Sequence, residues 1–262
     1  MNYPYYCEQV RRLLEISAKR RLKIYSIGKS VCGRDILAID IGHSVCRGLV
    51  VGGVHGTEYL TVLAALKFAD EYAANPDGLR LTVVPCLNPD GTEIALTEKV
   101  YWQANASGVD INHNFDADWQ NVKRRELELG ISSPSSSRYG GEKPESEPET
   151  RAIVRLCERV RYERVLALHS QGREIYWDFG KNTPKCCLVL AEEMAKVSGY
   201  KVANPEPIAT GGGFKDWFIE RFHRWGFTVE MGIGKNPLPL SSFESEYPRV
   251  HRLLNVFAKS RV

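Results

Sequence analysis

The sequence predicts an α/β fold, a sheet carrying helices on both faces. Three observations predict it. Short apolar runs of the kind that buried parallel strands show recur along the chain, as in Gly48-Leu-Val-Val-Gly-Gly-Val54. Segments with a one-sided apolar pattern lie between those runs. Turn residues such as Asn75-Pro-Asp-Gly78 separate the two kinds of segment. Strands that alternate with helices pack as a sheet between helical layers. The 262 residues suit one domain spanning 1–262, and no internal repeat divides them.

The elements follow in order. Tyr5 to Lys19 reads as a surface helix, with Leu13, Leu14 and Ile16 on its apolar face. Two strands come next, near Leu22–Ile27 and Ile36–Ile41, joined as a hairpin through Gly28–Asp35. After the strand at Gly48–Val54, a helix from Thr57 to Tyr72 turns Leu63, Leu66 and Ala69 inward. Leu81–Pro85 is a buried strand, and Asn88-Pro-Asp-Gly91 reads as a turn. Residues 116–149 are polar, with a Ser/Pro run at Ser132–Ser137 and an acidic run at Glu142–Glu149. They read as an exposed loop or as a cover for an active site. Ser146-Glu-Pro-Glu149 then opens a helix that runs to Val160, with the serine as cap and the proline in the first turn. Val165–Leu168 is a strand, Pro184–Ser198 a helix, Phe227–Glu230 a strand and Pro248–Lys259 a closing helix.

Composition narrows the function. Hydrophobic residues make up 43% and charged residues 26%, ordinary for a folded protein. A net charge of +3 is too small to argue for nucleic acid or a membrane surface as partner. No stretch reaches the roughly 18 apolar residues a bilayer span needs. No secretory signal is visible at the N-terminus. The seven cysteines are odd in number and form no C-x-x-C pair, which fits a reducing, cytoplasmic setting and argues against a cysteine zinc knuckle.

Three motifs fall at comparable places. His55-Gly-Thr-Glu58 follows a buried strand and opens a helix, His169 follows Val165-Leu-Ala-Leu168, and Glu230 ends Phe227-Thr-Val-Glu230. In open α/β sheets, ligands bind beyond the carboxyl ends of the strands. A hydrolytic zinc site takes three protein ligands and keeps one position for water. His55 and Glu58, at i and i+3 on a first helical turn, can share an ion, with His169 as the third ligand. Glu230 then takes the proton of the attacking water. Singly, each has a plainer reading: H-x-x-E occurs by chance on helices, and a lone histidine is more often a hydrogen-bonded core residue. A carboxylate ending a buried strand, however, needs a partner. Gly52 and Gly53 permit close packing beside this site. His43, His223 and His251 read as structural or exposed.

His55-x-x-Glu58, Gly108-Val-Asp-Ile-Asn-His-Asn-Phe115, His169-Ser and Thr228-Val-Glu230 resemble, in kind and order, the motifs of the zinc carboxypeptidase superfamily. The likeness runs from about Ile24 to Met231. Ser146-Glu-Pro-Glu-Thr150 and His169-Ser-Gln-Gly-Arg-Glu-Ile-Tyr-Trp177 look most like the bacterial γ-D-glutamyl-meso-diaminopimelate peptidase branch. The resemblance implies a mixed sheet of about eight strands between helices and one zinc ion on His55, Glu58 and His169. It implies that Glu230 activates water and passes the proton to the leaving amine. It implies that Asp110 supports His55 and that Asn112 touches a substrate carboxylate. The substrate it implies is a small cell-wall peptide, a soluble muropeptide.

The departures carry information of their own. Where carboxypeptidases of this superfamily have a carboxylate-clamping arginine, this chain has His113, and an imidazole cannot fork onto a carboxylate as a guanidinium does. Where an arginine normally follows the tryptophan matching Trp102, this chain has Gln103. The charge for the carbonyl oxygen then falls to Arg124, Arg125 or Arg138, or to zinc with Gln103 alone. A tyrosine familiar near the substrate is replaced by Ile208. Lys215 lies where the family sets side-chain preference, on a glycine-rich stretch, and would favour a substrate carboxylate. Arg173 and Glu174 are further candidates for the zwitterionic end of diaminopimelate. Two other functions fit the same residues: an ordinary carboxypeptidase or N-acyl amino acid amidohydrolase, and a non-catalytic zinc- or peptide-binding module.

Overall fold

The computed structural model describes residues 2–260; the side chain of Ile208 lies outside the described residues. Strands β1 (Ile24–Lys29) and β2 (Asp35–Ile41) form the expected antiparallel hairpin. Its turn passes through Gly33 at φ 80°, a left-handed conformation that suits glycine. The edge of the hairpin continues antiparallel into β4 (Arg80–Val84). The centre is parallel: β4 pairs with β3 (Arg47–Val51), β3 with β5 (Arg164–His169), and β5 with β8 (Trp225–Glu230). Two short strands, β6 (Glu174–Tyr176) and β7 (Lys201–Val202), complete an eight-stranded mixed sheet in the order β1-β2-β4-β3-β5-β8-β6-β7. The mixed sheet flanked by helices is thus as the sequence resemblance implies.

Helices cover both faces because the central strands are apolar on both. Alternate residues of β3 point to opposite cores, Val50 into one and Leu49 with Val51 into the other. The first core is closed by α1 (Tyr6–Arg20), α2 (Tyr59–Tyr72), α6 (Cys186–Ser198) and α8 (Phe243–Lys259). The second is closed by α5 (Pro148–Val160) and α7 (Phe214–Phe222).

Three expectations need correction. Asn88-Pro-Asp-Gly91 is not a turn but the start of α3 (Pro89–Glu98): the Asn88 Oδ1 accepts from Gly91 N at 2.9 Å, and Pro89 takes the first helical position. The residue types that make turns also make helix N-termini. The polar middle segment contains α4 (Trp119–Glu128), which is pinned by buried Trp119 and Val122. Ser146 does not cap α5; its hydroxyl donates to Glu147 Oε1, and Glu147 occupies the cap position. The glycine-rich stretch before Trp217 leads straight into α7, where Phe214, Trp217 and Phe218 bury one face at i, i+3 and i+4.

Candidate metal centre and substrate cavity

The parallel pairing of β3, β5 and β8 brings three chain segments to one edge of the sheet. His169 and Glu230, the last residues of β5 and β8, are paired in register. The chain leaves β3 through Gly52 and Gly53. A Cβ at Gly52 would meet the carbonyl oxygens of Pro85 and Thr61 at 2.7 and 2.8 Å, so only glycine fits that approach. Thr61 Oγ1 accepts from Gly53 N at 2.9 Å and donates to Glu58 O at 2.7 Å, stitching the turn to the helix. His55 and Glu58 therefore stand on the turn before α2, with Glu58 at the cap position, rather than on a first helical turn.

The result is a buried cluster. His55 Nδ1 lies 2.9 Å from Glu58 Oε1, and His169 Nδ1 lies 3.1 Å from Glu58 Oε2. The two Nδ1 atoms face each other at 3.3 Å. Ligands about 2.0–2.1 Å from a tetrahedral zinc sit about 3.3 Å apart. Two imidazole nitrogens and one carboxylate at 2.9–3.3 Å thus match three corners of such a site. Their ligand atoms form the one three-residue grouping of this kind among the described residues.

Asp110 lies behind His55. Its Oδ1 sits 3.0 Å from His55 Nε2 and accepts from Asn112 N at 3.0 Å, while its Oδ2 accepts from Arg138 N at 2.9 Å. Burial lowers the His55 pKa, but the charges of Glu58 and Asp110 outweigh it, and without a metal the imidazolium persists well above its usual range. Burial raises the Asp110 carboxyl, and the facing His55 and His113 outweigh that and hold it well below the carboxylate range. Glu230 shifts the other way. Burial first, then the charge of Glu58, push it well above an ordinary glutamate. No described residue is hydrogen-bonded to its carboxylate.

These residues line a cavity of about 1040 Å³ that also reaches Gln103, Asn112, His113 and Lys215. Asn112 Oδ1 accepts from Phe214 N at 3.1 Å, which leaves its amide N–H groups without a described partner. His113 Nδ1 lies 3.3 Å from buried Glu126. Lys215 borders the cavity but is buried, ion-paired with Asp216 and donating to Asp178 O at 2.7 Å. Its charge is already met, against the expectation of a cation awaiting substrate. Arg173 does not line the cavity; its guanidinium forks onto Glu246 at 2.6–3.2 Å. Of the three arginines that could replace the one missing at 103, Arg138 alone borders the cavity, whereas Arg125 is turned onto Thr210 O. Tyr101, Tyr176, Glu206 and Lys235 also border it and were not singled out from the sequence. They sit in loops or on a three-residue strand, where no periodic pattern marks them.

A His–Glu–His cluster at the carboxyl edge of a mixed sheet, with a lone carboxylate beside it, defines the class of a zinc hydrolase. The sequence profile of the zinc carboxypeptidase family matches residues 7–249, and the chain belongs to that family. It is 34% identical over 259 residues to γ-D-glutamyl-L-diamino acid endopeptidase 1 of Lysinibacillus sphaericus, covering 84% of this chain and 63% of that protein. It is 36% identical over 129 residues to murein peptide amidase A of Escherichia coli K12, about half of each chain. The chain thus spans less than two thirds of the first of these relatives. Among solved structures, bovine thrombin-activatable fibrinolysis inhibitor in complex with tick carboxypeptidase inhibitor superposes with a TM-score of 0.85 at 19% identity, covering 97% of this chain and 96% of that one. Murein-tripeptide amidase from Escherichia coli O157 superposes at 0.66 and 23% identity over 90% and 93% of the two chains. Both likenesses establish the fold.

Proposed function

We propose that this zinc peptidase hydrolyses the amide bond between γ-D-glutamate and meso-diaminopimelate in peptidoglycan-derived peptides, with 1–262 acting as one catalytic domain. The observation that carries the hydrolytic part is the meeting of His55, Glu58 and His169 within hydrogen-bond distance, at the strand edge where Glu230 ends β8. His55, Glu58 and His169 would hold the ion. Zinc supplies a Lewis acid for the scissile carbonyl and makes water a nucleophile at neutral pH. Glu230, whose proton affinity is raised by burial and by Glu58, takes the proton from water and delivers it to the leaving amine. Asp110 fixes the ring of His55. Gln103 borders the cavity as a neutral donor for the carbonyl oxygen. Asn112 contributes amide donors to a substrate carboxylate.

Two observations support the substrate class. The position of the usual carboxylate-clamping arginine is His113, and that imidazole already leans on Glu126. The Lysinibacillus sphaericus relative carries a name that specifies γ-D-glutamyl-L-diamino acid cleavage. The cellular setting we propose is cytoplasmic, supported by seven cysteines that are all unpaired. No helix among the described residues is long and apolar enough to cross a membrane. Incubating the zinc-loaded protein with L-Ala-γ-D-Glu-meso-diaminopimelate should release diaminopimelate. Release of ordinary C-terminal amino acids from peptides, with the tripeptide left intact, would overturn the substrate assignment.

A further inference from the structure

The cavity contains three side-chain cations besides its histidines: Lys215, Arg138 and Lys235. Lys215 is neutralised by Asp216. Arg138 and Lys235 are exposed, and neither side chain has an ion pair or hydrogen bond among the described residues. Both segments are nevertheless held against the metal centre, one through its backbone and the other through a neighbouring side chain. Arg138 sits at φ 66°, a left-handed conformation that non-glycine residues seldom adopt, and its N–H donates to Asp110, the residue behind His55. Lys235 precedes Asn236, whose Nδ2 donates to Ser170 O at 2.6 Å and reaches Glu58 Oε1 at 3.5 Å. Asn236 Oδ1 also accepts from Ser170 Oγ at 2.9 Å. One free cation is therefore tethered to the His55 side of the cluster and the other to its Glu58 and His169 side.

We infer that Arg138 and Lys235 are specificity residues that bind two different substrate carboxylates, one on each side of the scissile amide. This rests on the function proposed above and adds the chemistry by which the bond is chosen. An ordinary C-terminal peptide bond has a carboxylate on its amine side only. A γ-linked D-glutamate adds a free α-carboxylate on the acyl side, and diaminopimelate carries one on the carbon bearing the leaving nitrogen. Two separately anchored cations match a bond flanked by two anions. A guanidinium or ammonium that meets a carboxylate in a partly enclosed cleft makes a charge-assisted hydrogen bond.

The test uses three peptides: L-Ala-γ-D-Glu-meso-diaminopimelate, its isoglutamine analogue with the glutamate α-carboxylate amidated, and its analogue amidated on the diaminopimelate α-carboxylate. The zinc-loaded wild type should favour the first peptide over either amide. Arg138→Gln and Lys235→Gln should each raise KM for the first peptide about tenfold, with kcat changed by less than about threefold. Each variant should also erase the preference for one carboxylate, a different one in each case. An unchanged KM in both variants would overturn the inference, as would both losing the same preference. A fall in kcat at constant KM would overturn it too, by assigning the cation to the carbonyl oxygen. Calorimetric binding of the three peptides to zinc-loaded Glu230→Gln separates this inference from the bond assignment. Charge-dependent binding that is lost when Arg138→Gln and Lys235→Gln are combined in that background supports the two cations even where no tripeptide is cut, and binding indifferent to the carboxylates contradicts them even where it is.

Discussion

At the base of the cavity, His55, Glu58 and Asp110 are buried and engaged with one another: both nitrogens of His55 have a carboxylate partner, and both oxygens of Glu58 face an imidazole. At the rim, Arg138 and Lys235 are exposed, and among the described residues their charged ends meet no carboxylate. The base is organised before any ligand arrives, since a buried unpaired charge would be strongly destabilising. The rim can leave its cations unpaired because water solvates them. Residues that bind the ion are therefore recognised by the partners they share, and residues that read the substrate by the partners they lack. Lys215 and Arg173 show the error of judging by residue type alone. Both are cations near the predicted site, and both are already occupied by Asp216 and Glu246.

Substitutions at the base should have the largest effects. Glu230→Gln should lower kcat by about 10²–10⁴-fold while zinc content, measured by metal analysis, stays near one per chain. Asp110→Asn should weaken zinc binding by about 10–100-fold in a chelator competition, because the ring of His55 loses its anchor. Zinc affinity should also fall as pH drops. The proton on His55 is held well above the usual imidazole range by Glu58 and Asp110 and competes with the ion, so each lower pH step favours the metal-free form.

A third region, outside the cavity lining, offers a stability test. Glu149 is fully buried beside Asn105 and Val31 N, and burial raises its pKa to about 7. A carboxyl whose folded pKa exceeds its unfolded value stabilises most below the unfolded value and loses that contribution as pH rises through the folded one. Stability should therefore decline between about pH 4.5 and 7, by about 3 kcal/mol from this group. Glu149→Gln should flatten that decline in urea melts taken across the window. The smallest catalytic effect is expected at Arg173: Arg173→Ala should leave KM within about twofold of wild type and lower Tm, since it strands the buried Glu246.

Much of the site was legible because its chemistry follows apolar runs. Val165–Leu168 and Phe227–Val229 are buried strands, so His169 and Glu230 fall at their ends and so at the same sheet edge. The sheet's mixed character was less visible from residues alone. Glu174–Tyr176 and Lys201–Val202 are too short for a period-two pattern to register, and the resemblance implied only a total of about eight strands, not these two. Helices α3 and α4 were hidden for another reason. Asn88-Pro-Asp-Gly91 carries turn chemistry that also caps a helix, and Trp119 and Val122 are too few apolar residues to declare a buried face in a polar stretch. The pairing of Lys215 with Asp216 depends on side-chain direction, which neighbours in sequence do not reveal.

The most direct measurement is the anomalous scattering of zinc in crystals of the loaded protein. A single peak within bonding distance of His55 Nδ1, the Glu58 carboxylate and His169 Nδ1, with one zinc per chain in solution, is the predicted result. A peak held by other residues, or a purified chain that retains no zinc while its fold is intact, would contradict the account.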